Sequence, residues 1–400
     1  MKTASHDYKF QHLGRVYQLI EQFELISRTD LAKLSGFAPA SITGLSKTLI
    51  DYKLVLERTA QNLPSRGRPA VGLSLSPFHW RYLCLTLSVN QIAIFLCELS
   101  GKAVAQQVFP LDLSRDDLAK SVTMSLENFL EQYPTETENL LATSVSVIGK
   151  LDRHKSKVLQ LGSQTLDCEL LAPLQAVTNK PIYLNEHFQL WLLAESTLGS
   201  LISHDDVIFL QLDEAINLSV LLRGELLHRD EHKRMNVDKM LMPQFGELSE
   251  VIGGELPPME RYQLANQITF SALAKAVDHA LPNNCDSVAQ KIAYLCEQIQ
   301  QENPAALAIL EHITDNLSYM LLNLIHLFST EKIMFCSPLL SVQTPLFDKI
   351  REKITANLRQ DQLDIDLVTS QYEWNSPFIP AVAIKYEIYA GNLIQNIIKL

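Results

Sequence analysis

Over the first 80 positions, apolar residues recur at helical spacing first and at strand spacing afterwards. From Gln11 to Phe23 the positions Leu13, Val16, Tyr17 and Ile20 follow i, i+3, i+4, i+7, which predicts an amphipathic helix with one stripe turned inward. A short second helix is predicted after Ser27, a good N-cap with acidic Asp30 three places on; Leu31 and Leu34 are its inward positions, and Gly36 ends it where a left-handed residue is needed. Pro39 suits the first turn of a third helix, in which Ile42, Leu45 and Leu49 face inward and Ser41, Thr43, Gly44, Lys47 and Thr48 face outward. After Tyr52, the runs Leu54 to Arg58 and Val71 to Leu75 read as two short strands, joined by a polar loop containing Pro64, Ser65, Arg66, Gly67, Arg68 and Pro69. Helix, helix, turn, helix, hairpin is the order of a winged helix-turn-helix.

Beyond residue 80 the pattern alternates. Strands are predicted at Tyr82 to Leu87, Ile92 to Glu98, Thr143 to Ile148, Ile182 to Leu184, Val207 to Leu212, Leu218 to Leu222 and Lys332 to Cys336. Helices are predicted at Leu118 to Tyr133, Met259 to His279, Ser287 to Gln300 and Ala305 to Phe328. This is α/β, and no short fixed repeat suggests a solenoid. The expected organisation is a winged helix-turn-helix at 1–80 on a two-lobed body at 81–400. Lobe one would take about 81–194 with 380–400, and lobe two about 195–379.

At 400 residues with 47% apolar content, the chain is too long for one core, so several globular units are expected. The N-terminal MKTASHDYKF lacks the apolar core of a signal peptide, and the run Met320 to Phe328 is broken by Asn323 and His326, so a cytoplasmic protein with no membrane insertion is expected. The six cysteines, at 84, 97, 168, 285, 296 and 336, show no C-x-x-C spacing, which argues against a disulfide framework and a thiolate zinc site. Residues 1–80 hold ten Lys/Arg against six Asp/Glu, and the remainder 24 against 39, so a head of +4 precedes a body of −15. A basic head on an acidic body suits a protein that offers one end to a polyanion.

A helix entering the major groove needs short polar side chains near its N-terminal end, which Ser41, Thr43, Gly44 and Lys47 supply. Arg66, Gly67 and Arg68 would set two guanidinium groups against phosphates or in a narrow minor groove. The competing reading is a protein-interaction module whose loop arginines are merely solvated. SRTDLAKLSGFAPASIT (Ser27 to Thr43) and RGRPAVGL (Arg66 to Leu73) resemble the DNA-binding head of ROK family repressors of the Mlc and NagC type. PIYLNEHFQLWLLAE and the terminal NLIQNIIKL continue the likeness through the body. Such repressors usually carry a basic residue where Gly44 stands, so one phosphate or base contact is missing here.

The resemblance implies a degenerate ROK (actin/hexokinase-like) body, and a sequence-specific regulator, a repressor of sugar uptake or metabolism genes. ROK kinases hold ATP phosphates on glycine-rich turns and use a carboxylate as base. Their first phosphate turn corresponds to Thr86 to Gln91 and the second to Asp213 to Ser219, neither with a glycine, and their Asn-Asp pair aligns with Glu186 and His187. No catalytic residue and no cofactor is therefore expected; a kinase using His187 as base, with Glu186 orienting it, and a scaffold that no longer reads DNA are the alternatives. Asn185, Glu186 and His187 are the candidate ligand site for a sugar, a sugar phosphate or a phosphotransferase-system protein. The family's zinc motif is missing from Asn236 to Lys239 and from QFGELSEVIGGE, and His228 and His232 alone do not make a metal site.

A head of modest charge reads a palindrome as a pair, so a homodimer or tetramer is expected, with the body as dimeriser. In the tail, Leu393, Ile394, Ile397 and Ile398 share one side of a short helix after Gly391. Docking on the body's own core, subunit association and membrane-surface contact are its three readings.

Overall fold

The computed structural model describes residues 2–59, 71–115, 117–152, 154–162, 164–202, 204–227, 236–358 and 365–399, with side chains from residue 8 onward. The wing-loop residues Arg66, Gly67 and Arg68 lie outside the described residues, as do His228 and His232. Two compact units divide the chain, Met1–Leu198 with Tyr372–Leu400, and Gly199–Gln371. The head expected as its own domain at 1–80 thus shares a unit with the first lobe.

The first unit begins with α1 (Lys2–Gln22), α2 (Arg28–Ser35), α3 (Pro39–Asp51), β1 (Val55–Thr59) and β2 (Val71–Leu75). β1 and β2 pair antiparallel from Val55↔Leu75 to Thr59↔Val71. There follow β3 (Arg81–Leu87), β4 (Gln91–Glu98), β5 (Ala103–Pro110), α4 (Leu118–Gln132), β6 (Leu140–Val147), β7 (Gly149–Leu151), β8 (Lys157–Leu161), β9 (Gln164–Glu169), α5 (Leu171–Thr178), β10 (Ile182–Glu186) and α6 (His187–Leu198). The main sheet has the order β10-β6-β3-β4-β5, and β7-β8-β9 form a small separate one. β10, β6 and β3 run parallel while β3, β4 and β5 form an antiparallel meander.

The second unit holds β11 (Val207–Leu212), β12 (Ile216–Leu222), β13 (Glu225–Leu226), α7 (Glu247–Gly253), α8 (Pro258–Arg261), α9 (Ala265–Ile268), α10 (Phe270–Ala280), α11 (Val288–Gln300), α12 (Pro304–Phe328), β14 (Lys332–Cys336), α13 (Gln343–Asn357) and β15 (Asp366–Thr369). Its sheet order is β13-β12-β11-β14-β15, with one core formed between the sheet and the helices. The single helix expected from Met259 to His279 is instead broken into α8, α9 and α10. Thr269 is extended (φ −61°, ψ 158°), and the buried Gln267 side chain donates to Arg261 O (2.7 Å) and Ser249 O (3.3 Å) across the break. Local side-chain bonds to the backbone compete here with helix continuation. α12 follows the sequence closely, with Asn303 as N-cap, Pro304 in the first turn and Ser329 left-handed at its end.

The chain then returns to the first unit as α14 (Phe378–Tyr389) and α15 (Asn392–Lys399). Strand alternation gives the main sheet two different cores. Leu83, Leu85, Ile92, Ile94, Leu96, Val145 and Val147 pack with α4 and α5. From the opposite face, Tyr82, Cys84, Ala93, Phe95 and Cys97 join Phe10, Leu13, Tyr17, Ile42 and Leu49 of the head, Ile384 and Ile388 of α14, and Leu393, Ile394 and Ile397 of α15. Among the three readings of the tail, docking on the body's own core is the observed one for these residues.

Candidate nucleic-acid interface

The local chemistry that shapes the head matches the spacing of its residues. Ser27 caps α2 by accepting from Asp30 N (3.1 Å), and Gly36 ends it at φ 72°. Leu31 is buried, but Leu34 is 48% exposed, contrary to the sequence reading. It lies about 60° around the helix from Leu31, beyond a narrow stripe. Half-buried Phe37, its ring 4.6 Å from that of His12, closes that side instead.

On α3, Ile42, Ser46 and Leu49 are buried and Leu45 half-buried. Ser46 was not legible as an inward residue. Its hydroxyl donates to Thr43 O (3.2 Å) and accepts from Arg28 Nε (3.0 Å), while Arg28 Nη2 meets Glu57 Oε1 of β1 at 2.7 Å. Arg28 thereby ties the start of α2 to both α3 and β1. The pair is too exposed to add much stability, so its contribution is geometric.

Ser41, Thr43, Gly44 and Lys47 are all exposed on α3, whereas Thr48 is half-buried and bonds back to Gly44 O (3.1 Å). Thr43 likewise donates to Pro39 O (3.0 Å), leaving its oxygen free to accept. A Cβ at Gly44 would meet nothing within 4 Å. Gly44→Ala is therefore expected to stabilise the chain by about 0.5–1 kcal/mol through helix propensity alone. Gly44→Arg should add to that a several-fold gain in affinity for duplex DNA, read as a steeper salt dependence in a gel shift.

Asn185 and Glu186 end β10, and His187 begins α6. Each is already engaged: Lys155 Nζ donates to Asn185 Oδ1 (3.1 Å), Leu151 N to Glu186 Oε1 (3.0 Å), and His187 Nδ1 lies 2.7 Å from Ser146 Oγ. His187 is only 5% exposed, edge-on to Trp191, and burial pushes its pKa down to about 4 against a smaller opposing effect of the Trp374 backbone. A general base must come within hydrogen-bond reach of the proton it removes, which this buried ring does not. In the unfolded chain the ring takes a proton near pH 6.5; in the folded chain it stays neutral down to about 4. Stability from this group is thus full above about pH 6.5 and lost as pH falls towards 4, by on the order of 3 kcal/mol. Urea midpoints at pH 7 and pH 5 should differ less in His187→Gln than in the parent.

The two turns aligned with phosphate loops are filled by side chains. Between β3 and β4, Ser88 Oγ bonds Asn90 Oδ1 (3.0 Å) and Gln91 O (3.2 Å). After β11, Asp213 Oδ1 accepts from Ala215 N (3.0 Å) and Oδ2 from Gln211 Nε2 (2.8 Å), occupying an N–H that a phosphate would need. The segment aligned with the family's zinc site does not fit that ion: it has no cysteine, and Glu250 there binds Arg261 and Tyr262. Among the described residues no cluster of three His, Cys, Asp or Glu could hold a metal, and no helix is long and apolar enough to cross a membrane.

The model of the ROK family matches residues 82–230. The DNA-binding transcriptional repressor Mlc of Escherichia coli K12 is 26% identical, with 98% of this chain and 97% of Mlc covered. The DNA-binding transcriptional dual regulator NagC of the same organism is 21% identical over 96% of this chain and 94% of NagC. The crystal structure of a ROK family transcriptional regulator described as a homologue of E. coli Mlc superposes with a TM-score of 0.80, at 23% identity, covering 98% of this chain and all of that one. The chain is thus similar to the ROK family over part of its body and to Mlc and NagC over nearly its full length, head included.

Proposed function

We propose that the chain is a sequence-specific DNA-binding transcriptional regulator, a repressor of sugar uptake or metabolism genes, with a non-catalytic ROK body. The observation that carries this reading is α3: its buried Ile42, Ser46 and Leu49 fix one face, and its exposed Ser41, Thr43, Gly44 and Lys47 form a short-chained polar face suited to a major groove. The basic head on an acidic body and the near full-length similarity to Mlc and NagC support it. Arg66, Gly67 and Arg68 would add backbone or minor-groove contacts from the wing. A kinase role is not supported, because the residue aligned with the base is a buried, neutral imidazole and both phosphate turns are filled.

In this reading the partners are a palindromic duplex operator and a second copy of the chain, as a dimer or a tetramer, in the cytoplasm. The effector would be a sugar, a sugar phosphate or a phosphotransferase-system protein acting at Asn185, Glu186 and His187. A gel-shift series on genomic fragments from 50 to 200 mM salt is expected to reveal a preferred fragment whose affinity falls steeply with salt. A flat series with no preferred fragment would favour the scaffold reading.

A further inference from the structure

A winged helix-turn-helix needs only one face of its first helix, yet α1 is buried on two. Leu13, Val16 and Ile20 face the rest of the head, while Phe10, Gly14, Tyr17 and Glu21 lie towards α14 and α15. Contact on this second side is backbone to backbone: a Cβ at Gly14 would fall 2.0 Å from Tyr389 O, and one at Gly391 would fall 2.5 Å from Phe10 C.

At the end of this seam sits a buried ion pair between Glu21 of α1 and Lys385 of α14, their side chains 4% and 2% exposed. Lys385 Nζ also donates to Ser100 O (3.0 Å) and Leu99 O (3.2 Å), so the ammonium's three donors are all used. Tyr389 OH donates to the second Glu21 oxygen at 2.6 Å. The carboxylate comes from the head and every group that answers it comes from the body.

A buried ion pair gives little net stability compared with apolar packing, because desolvation offsets the attraction. What it does supply is direction: an apolar contact can slide, whereas a desolvated carboxylate meets its ammonium and phenol in one register. We propose that Glu21, Lys385 and Tyr389 form a register pin that fixes the reading head on the body, which makes Lys385 and Tyr389 positioning residues for operator recognition although neither lies on a DNA-facing element. The pin rests on the DNA-binding reading for its consequence, but not for its existence. α14 also packs against α6, so the pin joins the head to the element that begins at His187.

The full chain tests this with two readouts, in the parent, in Glu21→Gln/Lys385→Met and in Tyr389→Phe. Removing both charges together avoids stranding one of them. In DNA-free protein, hydrogen exchange of the α1 amides is expected to run at least tenfold faster in the double variant, with the second unit unchanged. On an operator fragment selected by the parent, the double variant should bind at least tenfold more weakly and lose its preference among duplexes whose half-sites are moved by one or two base pairs. Tyr389→Phe should fall between. Parent-like exchange of α1 in a folded double variant overturns the pin, whatever the DNA results. Faster exchange with unchanged affinity and spacing preference overturns its role in reading. If the double variant does not fold, Tyr389→Phe decides by the same measurements, and unchanged exchange there overturns the proposal. A parent that shows no salt-sensitive DNA binding strikes the DNA-binding reading alone, since exchange still decides the pin.

Discussion

Gly14→Ala is expected to lower the melting temperature by about 4–8 °C, although alanine is the better helix former. Its Cβ would stand 2.0 Å from Tyr389 O and 2.8 Å from Ile388 O, backbone atoms that cannot rotate away. Overpacking of this kind costs about 3 kcal/mol, helix propensity restores about 1, and the net of about 2 gives that shift for a unit of this size. Gly44→Ala is the internal control, the same chemical change where no atom stands within 4 Å, and it should move the midpoint the other way. Equal midpoints for the two variants in a thermal scan would mean that α1 does not approach α14 this closely.

Lys47→Glu should leave the melting temperature unchanged and reduce operator affinity about a hundredfold at 0.1 M salt. The residue is exposed on α3, so its replacement disturbs no packing. In place of the phosphate contact proposed for Lys47 it would put a repelled carboxylate, and a plot of log affinity against log salt should flatten by about 0.9 or more. A variant with parent affinity and slope would take α3 out of the groove. Loss of affinity with an unchanged slope would place Lys47 on a base edge instead of a phosphate.

Much of the architecture is legible in local periodicity because those elements are fixed by their own neighbours. The strands Val71–Leu75, Val207–Leu212 and Lys332–Cys336 appear where the apolar runs put them, and Ser27, Pro39, Gly36 and Asn303 act as helix punctuation through local bonds and φ preferences. β5 was missed because it is an edge strand that alternates half-buried and exposed positions with no long apolar run. α13 and α14 were missed too. Lys385 sits amid apolar α14 as a residue type that is almost never fully buried, and its answering carboxylate lies more than 360 residues away in sequence.

The candidate sites divide along the same line. The exposed set Ser41, Thr43, Gly44 and Lys47 follows from counting around a helix, whereas Ser46 and Arg28 do not, because their roles depend on β1 returning beside α3. Asn185, Glu186 and His187 stand together at the β10–α6 junction as their order requires. Their engagement by Lys155, Leu151 and Ser146 comes from a hairpin and a neighbouring strand that sequence spacing does not bring to them.

The core that α1 shares with the sheet and with the last two helices bears on how such proteins can be recombined. A cut near residue 80 would leave Tyr82, Phe95, Ile384, Ile388 and Ile394 facing water on one piece and Phe10 and Tyr17 on the other, so neither fragment inherits a finished exterior. Grafting a foreign head onto this body would demand that the donor's first helix reproduce Gly14 and Glu21 as well as the recipient's contours. Chimeras made by exchanging α2 to β2 alone, with α1 retained, should be the ones that stay soluble.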